Sequence, residues 1–211
     1  MLCYGFGVRQ TELPAKQGYH HGDLRRVLLD AALRRFAARG DFDFTLRELA
    51  RDVGVSHNAP YRHFAGKAEL LAALRDDGFA RLAERERRAL RSAGAGARAR
   101  VRALGEAYVR FAREDAPSFR LALAHPPADG DASSAAATGF SLLEETIAEG
   151  QRERSVRTDL SARELALAAW SLVHGLATLL ASGQLPERAS HVARYTEILS
   201  TVFFDGAAAR R

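Results

Sequence analysis

The sequence predicts an all-α protein, and three features of it support this fold class. Alanine, leucine, arginine and glutamate dominate the 211 residues, and all four favour helix. Runs that alternate apolar and polar residues at the period of a strand are nearly absent. Two capping boxes, Thr45 with Glu48 and Ser161 with Glu164, mark helix starts. Hydrophobic residues make up 47% of the chain, so it can bury a core.

Four helices are predicted in the first 90 residues, at about 22–39, 45–53, 56–64 and 67–90. Gly22 and Asp23 open the first of them. The glycines that separate the helices are Gly40, Gly54 and Gly66. The fourth helix is amphipathic at first and strongly charged towards its end, so it connects an N-terminal module at 20–66 with the rest. Residues 1–19 are expected to be a flexible arm.

Five further helices follow a loop of small residues at 92–100, which gives about nine in total. They are expected at about 97–114, 117–124, 135–153, 161–183 and 187–204. A loop at 125–137 contains prolines, glycine and serines and separates two of them. Residues 67–211 should therefore form a second and larger helical domain.

Composition excludes several classes of function. Cys3 is the single cysteine, so no intramolecular disulfide can form, which fits a reducing cytoplasm. No uninterrupted run of about 18 apolar residues is visible, so no membrane span is expected. His20 and His21 are adjacent and do not share a helix face, which argues against a metal site. Nucleotide-binding glycine loops, zinc spacings and nucleophile elbows are absent, so we expect no cofactor, no metal and no enzyme activity.

The helices at 45–53 and 56–64 are joined by a glycine-containing turn of about three residues, the layout of a DNA-binding helix-turn-helix. Apolar residues would pack the two helices together, and Phe64 would anchor the second. The outward face of the second helix then shows side chains that can bond to base edges or phosphates, namely Ser56, His57, Asn58, Tyr61, Arg62 and His63. Two alternatives stay open: Tyr61 could pack between helices, and His63 could be a local cap.

Pro60 lies inside this second helix, where an interior proline costs about 3 kcal/mol. With Ser56 as the N-cap, Pro60 would be about the fourth helical residue, and only the first intrahelical bond would be lost. It could stiffen and aim the first turn, or be a tolerated residue without a role in recognition. The net charge of +5 also fits an anionic partner such as DNA, although genomic base bias explains it equally well. Residues 20–91 carry 15 Lys and Arg against 11 Asp and Glu.

The segment "TLRELARDVGVSHNAPYRHFAGKAELL", residues 45–71, resembles the DNA-binding domain of the TetR (tetracycline repressor) family of transcriptional regulators. The matching residues are Gly54, Val55, Ser56, Tyr61, Phe64 and Lys67. Pro60 departs from the pattern, because the family commonly has Leu, Ile or Val there. Trp170, His174 and Gly175 resemble the Trp-x-x-x-His-Gly signature of a subgroup.

The resemblance implies a role for each matching position. Thr45 would cap the second helix and touch phosphate, and Arg47 would reach a base or a phosphate. His57 and Asn58 would face bases. The residues expected to meet the DNA backbone are Tyr61, His63 and Lys67.

The resemblance also implies that the larger domain dimerises and holds a ligand. The last two helices fit a dimer face through Trp170, Leu172, Leu176, Leu179, Val192, Tyr195, Leu199 and Val202. Candidate pocket residues are Tyr108, Phe111, Phe119, His125, Phe140, Trp170 and His174. Ordinary core packing is the alternative for both sets, and Trp170 and His174 could serve the pocket, the core or the dimer seam.

The expected function is that of a cytoplasmic, ligand-responsive repressor. It would bind palindromic operator DNA as a homodimer and be released by a small molecule of unknown identity. A sequence-tolerant architectural DNA-binding protein is the alternative.

Overall fold

The computed structural model describes residues 24–124, 135–185 and 191–207. The expected arm at 1–19, the helix start at Gly22 and Asp23, and the candidate pocket residue His125 lie outside the described residues. Within them the chain forms eight α-helices and one 3₁₀ turn, and no strand occurs in these ranges. The helices are α1 (Leu24–Arg39), α2 (Leu46–Asp52), α3 (Lys67–Ser92), α4 (Ala97–Glu114), α5 (Ala116–Ala124), α6 (Ala135–Arg152), α7 (Ala162–Ala181) and α8 (His191–Ala207). The all-α prediction is confirmed.

Both predicted capping boxes are present. The Glu48 N–H donates to Thr45 Oγ1 at 3.2 Å, and the Thr45 N–H donates to Glu48 Oε2 at 2.7 Å. At the start of α7, the Glu164 N–H donates to Ser161 Oγ at 3.2 Å, and the Ser161 N–H donates to Glu164 Oε2 at 2.7 Å. Each box satisfies two N–H groups that a helix start leaves free, so these starts are fixed locally.

The predicted third helix at 56–64 is wrong, because only a 3₁₀ turn at Pro60–Arg62 forms there. An α-helix beginning after Ser56 would need an N–H on residue 60 to reach the Ser56 carbonyl, and proline has none. The Ala59 N–H binds that carbonyl instead, at 2.9 Å. Arg62 then donates to Ala59 at 3.2 Å and His63 to Pro60 at 2.9 Å, the spacing of a 3₁₀ helix. Ala59 precedes the turn as its cap, so the expected capping role of Ser56 is wrong too.

The first hydrophobic cluster joins α1, α2, the 3₁₀ turn and the first half of α3. Leu28, Leu49, Phe64, Leu70 and Leu74 are among its largest fully buried members. Leu121 of α5 belongs to the same cluster, so α5 connects it with the rest of the bundle. Burying large side chains of this kind stabilises each by about 1.5–3 kcal/mol relative to exposure.

The second half of the chain is a bundle around α4, which packs against α3, α5, α6, α7 and α8. Close approach between helices is possible where glycine takes the place of a larger residue. A Cβ placed on Gly78 of α3 would lie 2.8 Å from Ser118 Cβ of α5. One placed on Gly150 of α6 would lie 2.6 Å from Ala97 Cβ of α4. Helix α3 contributes Leu70 and Leu74 to the first cluster and Leu82 to a cluster around α4.

Helix α7 is long and apolar enough to cross a membrane by length and composition. It packs against α4, α6 and α8, as the core helix of a bundle does. One helix of this kind is weak evidence for a membrane, since core helices have the same composition. Only 28% of its most apolar stretch is buried inside the protomer, so much of an apolar helix faces outward.

Candidate nucleic-acid interface and effector cavity

A tight turn positions the candidate DNA-binding edge relative to α2. The Gly54 N–H donates to the Arg51 carbonyl at 3.2 Å, and the Val55 N–H donates to the Ala50 carbonyl at 2.9 Å. Gly54 has φ +73°, a left-handed conformation in which a side chain is strained. The glycine therefore ends α2 sharply and turns the chain towards the 3₁₀ turn.

The segment 56–63 presents its polar side chains to solvent. Pro60 and Phe64 are buried beneath it and fix it to the first cluster. The exposed polar residues of this segment are Ser56, His57, Asn58, Tyr61, Arg62 and His63. Tyr61 is 48% exposed, so the alternative that it packs between helices is wrong. We call this set of side chains the polar edge.

The other three candidate DNA-binding residues lie at helix starts and on α2. Arg47 is exposed on α2. The Thr45 hydroxyl is committed to Glu48, since it accepts from the Glu48 N–H and donates to Glu48 Oε2 at 3.0 Å. Lys67 is half-buried at the start of α3, with its Nζ 5.2 Å from the centre of the Phe44 ring. Lys67 thus adds positive charge to a helix N-terminus, where anions bind readily.

An ion-pair network joins α1 to α2 next to the polar edge. Arg35 of α1 binds Asp52 at 3.0 Å through Nη2 and lies 3.5 Å from Glu48 of α2. The hydrogen bond from Arg35 lowers the pKa of Asp52, and bonds from Thr45 lower the pKa of Glu48. This network holds α1 against α2, and the Arg25 guanidinium of α1 lies 5.4 Å from the Phe64 ring centre.

A cavity of about 530 Å³ lies between α3, α4, α5, α6 and α7. Six of the seven predicted pocket residues line it, and the seventh, His125, lies outside the described residues. The six are Tyr108, Phe111, Phe119, Phe140, Trp170 and His174. The volume falls within the range of small-molecule sites, and aliphatic and aromatic side chains make up most of the wall.

Few polar groups face this cavity. The Tyr108 hydroxyl and His174 Nδ1 are 2.7 Å apart, within hydrogen-bond distance. Burial raises the pKa of Tyr108 to about 12, and burial lowers the pKa of His174. The Trp170 ring lies beside that of His174, with ring centres 5.1 Å apart and the ring planes tilted by 48°. The structure therefore places the signature residues Trp170 and His174 in the cavity wall.

Glu86, a buried carboxylate of α3 that was not predicted from the sequence, also lines the cavity. Burial raises its pKa to about 8. Its Oε2 has no hydrogen-bond partner. The signal was present in the sequence, because Glu86 follows Phe79 and Leu82 at helical spacing on the apolar stripe of α3.

The candidate dimer residues separate into buried and exposed groups. Leu176 and Val192 belong to the protomer's own core, so their assignment to an outward face is wrong. Leu172, Tyr195 and Leu199 are partly buried against the clusters of the protomer. Those that remain outward are Leu179 and Val202, together with Trp170 at the cavity rim. Two further apolar residues, Leu167 of α7 and Ile198 of α8, are exposed although the sequence did not predict it.

Comparison with known proteins identifies the family. The profile described as "Bacterial regulatory proteins, tetR family" matches residues 28–74, which include α2 and the polar edge. The profile described as "Tetracyclin repressor-like, C-terminal domain" matches residues 101–202, which include most of the cavity wall. The chain belongs to the TetR family. TetR-family proteins are transcription regulators with a helix-turn-helix, typically ligand-responsive DNA-binding repressors.

Individual relatives agree with this membership. The chain is 42% identical over 67 residues to the uncharacterized HTH-type transcriptional regulator TtgW of Pseudomonas putida. That match spans 32% of this chain and 46% of TtgW, less than half of the relative's length. A Rhodococcus sp. RHA1 protein of unknown function is 37% identical, with TM-score 0.78 over 92% of this chain and all of that one. A TetR family transcription regulator of Marinobacter aquaeolei VT8 shares the fold, with TM-score 0.67 and 17% identity over 88% and 96% of the two chains.

Proposed function

We propose that this TetR-family protein is a repressor that binds palindromic operator DNA as a homodimer and is released by a small molecule in the α3–α7 cavity. The polar edge carries this proposal. Its hydroxyl, imidazole, amide and guanidinium groups are all of kinds that can bind base edges or phosphates, and all are exposed. The buried Pro60 and Phe64 keep the edge rigid, so its groups can meet DNA without a large ordering cost.

The exposed apolar face of α7 and α8 supports a homodimer. Ile198 and Val202 lie four residues apart on α8 and are 46% and 60% exposed. On α7, Leu179 is also exposed, beside the exposed small residues Ser171 and Gly175. Small residues permit close packing of one helix on another, and a twofold dimer presents two edges to the two halves of a palindrome. Four helices, two from each protomer, would form the interface.

The continuity of α3 supports effector control. This 26-residue helix carries Lys67 at its first position, and its second half lines the cavity with Phe79, Leu82 and Glu86. A ligand that favours one position of the second half therefore biases the placement of the polar edge. The proposed place of action is the cytoplasm, where the chromosome is accessible.

Footprinting of ligand-free protein across the chromosome tests the DNA-binding part. A regulator protects a few palindromic sites, each with two half-sites about one helical turn apart. Continuous protection without a shared sequence would refute the proposal and favour an architectural protein. The His57→Ala, Asn58→Ala double variant should lose sequence preference, whereas a Glu145→Ala control on the exposed side of α6, away from the proposed dimer face, should keep it.

A further inference from the structure

Glu86 is a buried carboxylate of the cavity wall that lacks a hydrogen-bond partner. The residue is 5% exposed, and its Oε2 is buried without a hydrogen-bond partner. Gly139 of α6 makes room for this oxygen, since a Cβ at that position would lie 2.7 Å from Glu86 Oε2. A buried polar atom without a partner is costly, and native proteins keep few of them. Glu86 and Gly139 both line the cavity, so the wall contains a carboxylate that lacks a hydrogen-bond partner at Oε2.

No described neighbour neutralises this acceptor. Tyr108 of α4 lines the cavity, and its hydroxyl is paired with His174 Nδ1 of α7. Arg163 of α7 lines the cavity as well, but its guanidinium lies 5.4 Å from the Phe140 ring centre and 3.6 Å from Glu144. On α3 itself, Arg87 is the next residue along the helix and is exposed. Glu86 is thus the one carboxylate among the described residues of the wall.

The rest of the wall suits a cation attached to an apolar body. Aromatic rings present negative faces that attract ammonium groups, most strongly where water is excluded. The rings of the described wall belong to Phe79, Tyr108, Phe111, Phe119, Phe140 and Trp170. An alkyl or aryl chain would fill the apolar remainder of the space.

We propose that the effector is an apolar amine whose protonated nitrogen binds the Glu86 carboxylate. The inference rests on the proposed effector role of this cavity and adds the chemical class of the ligand. An N–H of the ammonium donates to the Glu86 carboxylate, which has no cation beside it among the described residues of the wall. A charge-assisted hydrogen bond of this kind is about twice as strong as one between neutral groups.

Binding of an amine should depend on pH in a defined direction. The pKa of Glu86 in the unliganded protein is about 8, so its carboxyl is mostly protonated at pH 7. An ammonium ion binds the carboxylate, so complex formation at pH 7 releases one proton from Glu86 to water. Affinity should then rise about eightfold between pH 7 and 8.5, as the ionised fraction rises. Over this interval His174 stays neutral, because its pKa is lowered from 6.5, and Tyr108 stays neutral because its pKa is about 12.

A matched series of ligands tests the head group. Decylamine, decan-1-ol and decanoate share one chain and differ only in the polar end, and calorimetric titration of the full protein gives each affinity. We expect decylamine to bind at least about tenfold more tightly than decan-1-ol. In Glu86→Gln this preference should fall to about one, with decan-1-ol binding retained as evidence that the cavity is folded. Glu84→Gln, which alters a solvent-facing carboxylate paired with Arg88 on the same helix, should keep the wild-type preference.

Three results would overturn the proposal. The first is equal or tighter binding of decan-1-ol or decanoate by the wild-type protein. The second is an amine preference that survives in Glu86→Gln, and the third is no binding of decylamine at millimolar concentration. Operator footprinting without ligand shows whether such a result refutes only the ligand class or also the proposed repressor function. Protein that protects its operator but shows no amine preference refutes only the ligand class, whereas protein that protects no DNA refutes the repressor.

Discussion

Replacing Arg62 by alanine should make operator binding less sensitive to salt. Arg62 lies in the 3₁₀ turn at the centre of the polar edge, and its side chain is exposed. A cation that meets a phosphate displaces condensed counterions from DNA, so each contact steepens the fall of affinity with salt by about 0.9 logarithmic units. The proposed dimer contains two copies of Arg62, and each would contact a phosphate. The variant should therefore lose about 1.8 from the slope of log K against log salt.

The effect is large enough to measure by fluorescence anisotropy with a labelled operator fragment. Between 50 and 200 mM salt, the wild-type protein should lose about twelvefold more affinity than Arg62→Ala. Arg102→Ala is the matched control, because Arg102 is exposed on α4 and the change removes the same charge from the protomer. An unchanged slope in Arg62→Ala would refute the phosphate contact. Equal changes in both variants would show that overall charge, rather than the position of Arg62, sets the salt dependence.

Three further predictions concern stability and assembly. Arg35→Met should lower the melting temperature at pH 7, and the difference from wild type should shrink below about pH 4. The reason is that Arg35 lowers the pKa of Asp52, so the pair stabilises the fold only while Asp52 is ionised; thermal denaturation followed by circular dichroism at both pH values checks this. Gly175→Ala should raise the stability of the protomer by about 0.5–1 kcal/mol, since a Cβ there meets no atom within 4 Å. The same methyl group should weaken the dimer, which sedimentation equilibrium measures; unchanged association would argue against close helix packing at this face. Gly150→Ala should instead destabilise by about 1–2 kcal/mol in urea unfolding, because its Cβ would lie 2.6 Å from Ala97 Cβ, and Gly175→Ala serves as its control.

The sequence predicted features whose cause lies within a few residues. The two capping boxes depend on side chains three positions apart, and the turn at Gly54 depends on one glycine; the structure confirms all three. The third helix failed for an equally local reason. The composition of 56–64 favours helix only weakly, and the missing N–H of Pro60 is enough to replace α-helical bonding with a 3₁₀ turn.

Features that depend on packing between helices were harder to predict. Periodicity identified apolar stripes on α7 and α8, but it did not show which part of each stripe faces α4. Leu176 and Val192 consequently proved to be core residues, while Ile198 was missed on the outside. The role of Glu86 was hidden for a similar reason, since its free oxygen depends on Gly139, 53 positions further along the chain.

Because α3 is a single long helix, a movement at the cavity can be transmitted to the far end of the helix. Glu86 and Lys67 are 19 positions apart on it, which at 1.5 Å per residue is about 28 Å. If α3 pivots as a stiff rod near the cavity, a rotation of about 5° carries its far end about 2.5 Å sideways. That displacement is comparable to a hydrogen-bond length, so a change at one carboxylate is geometrically sufficient to take several DNA contacts out of range at once.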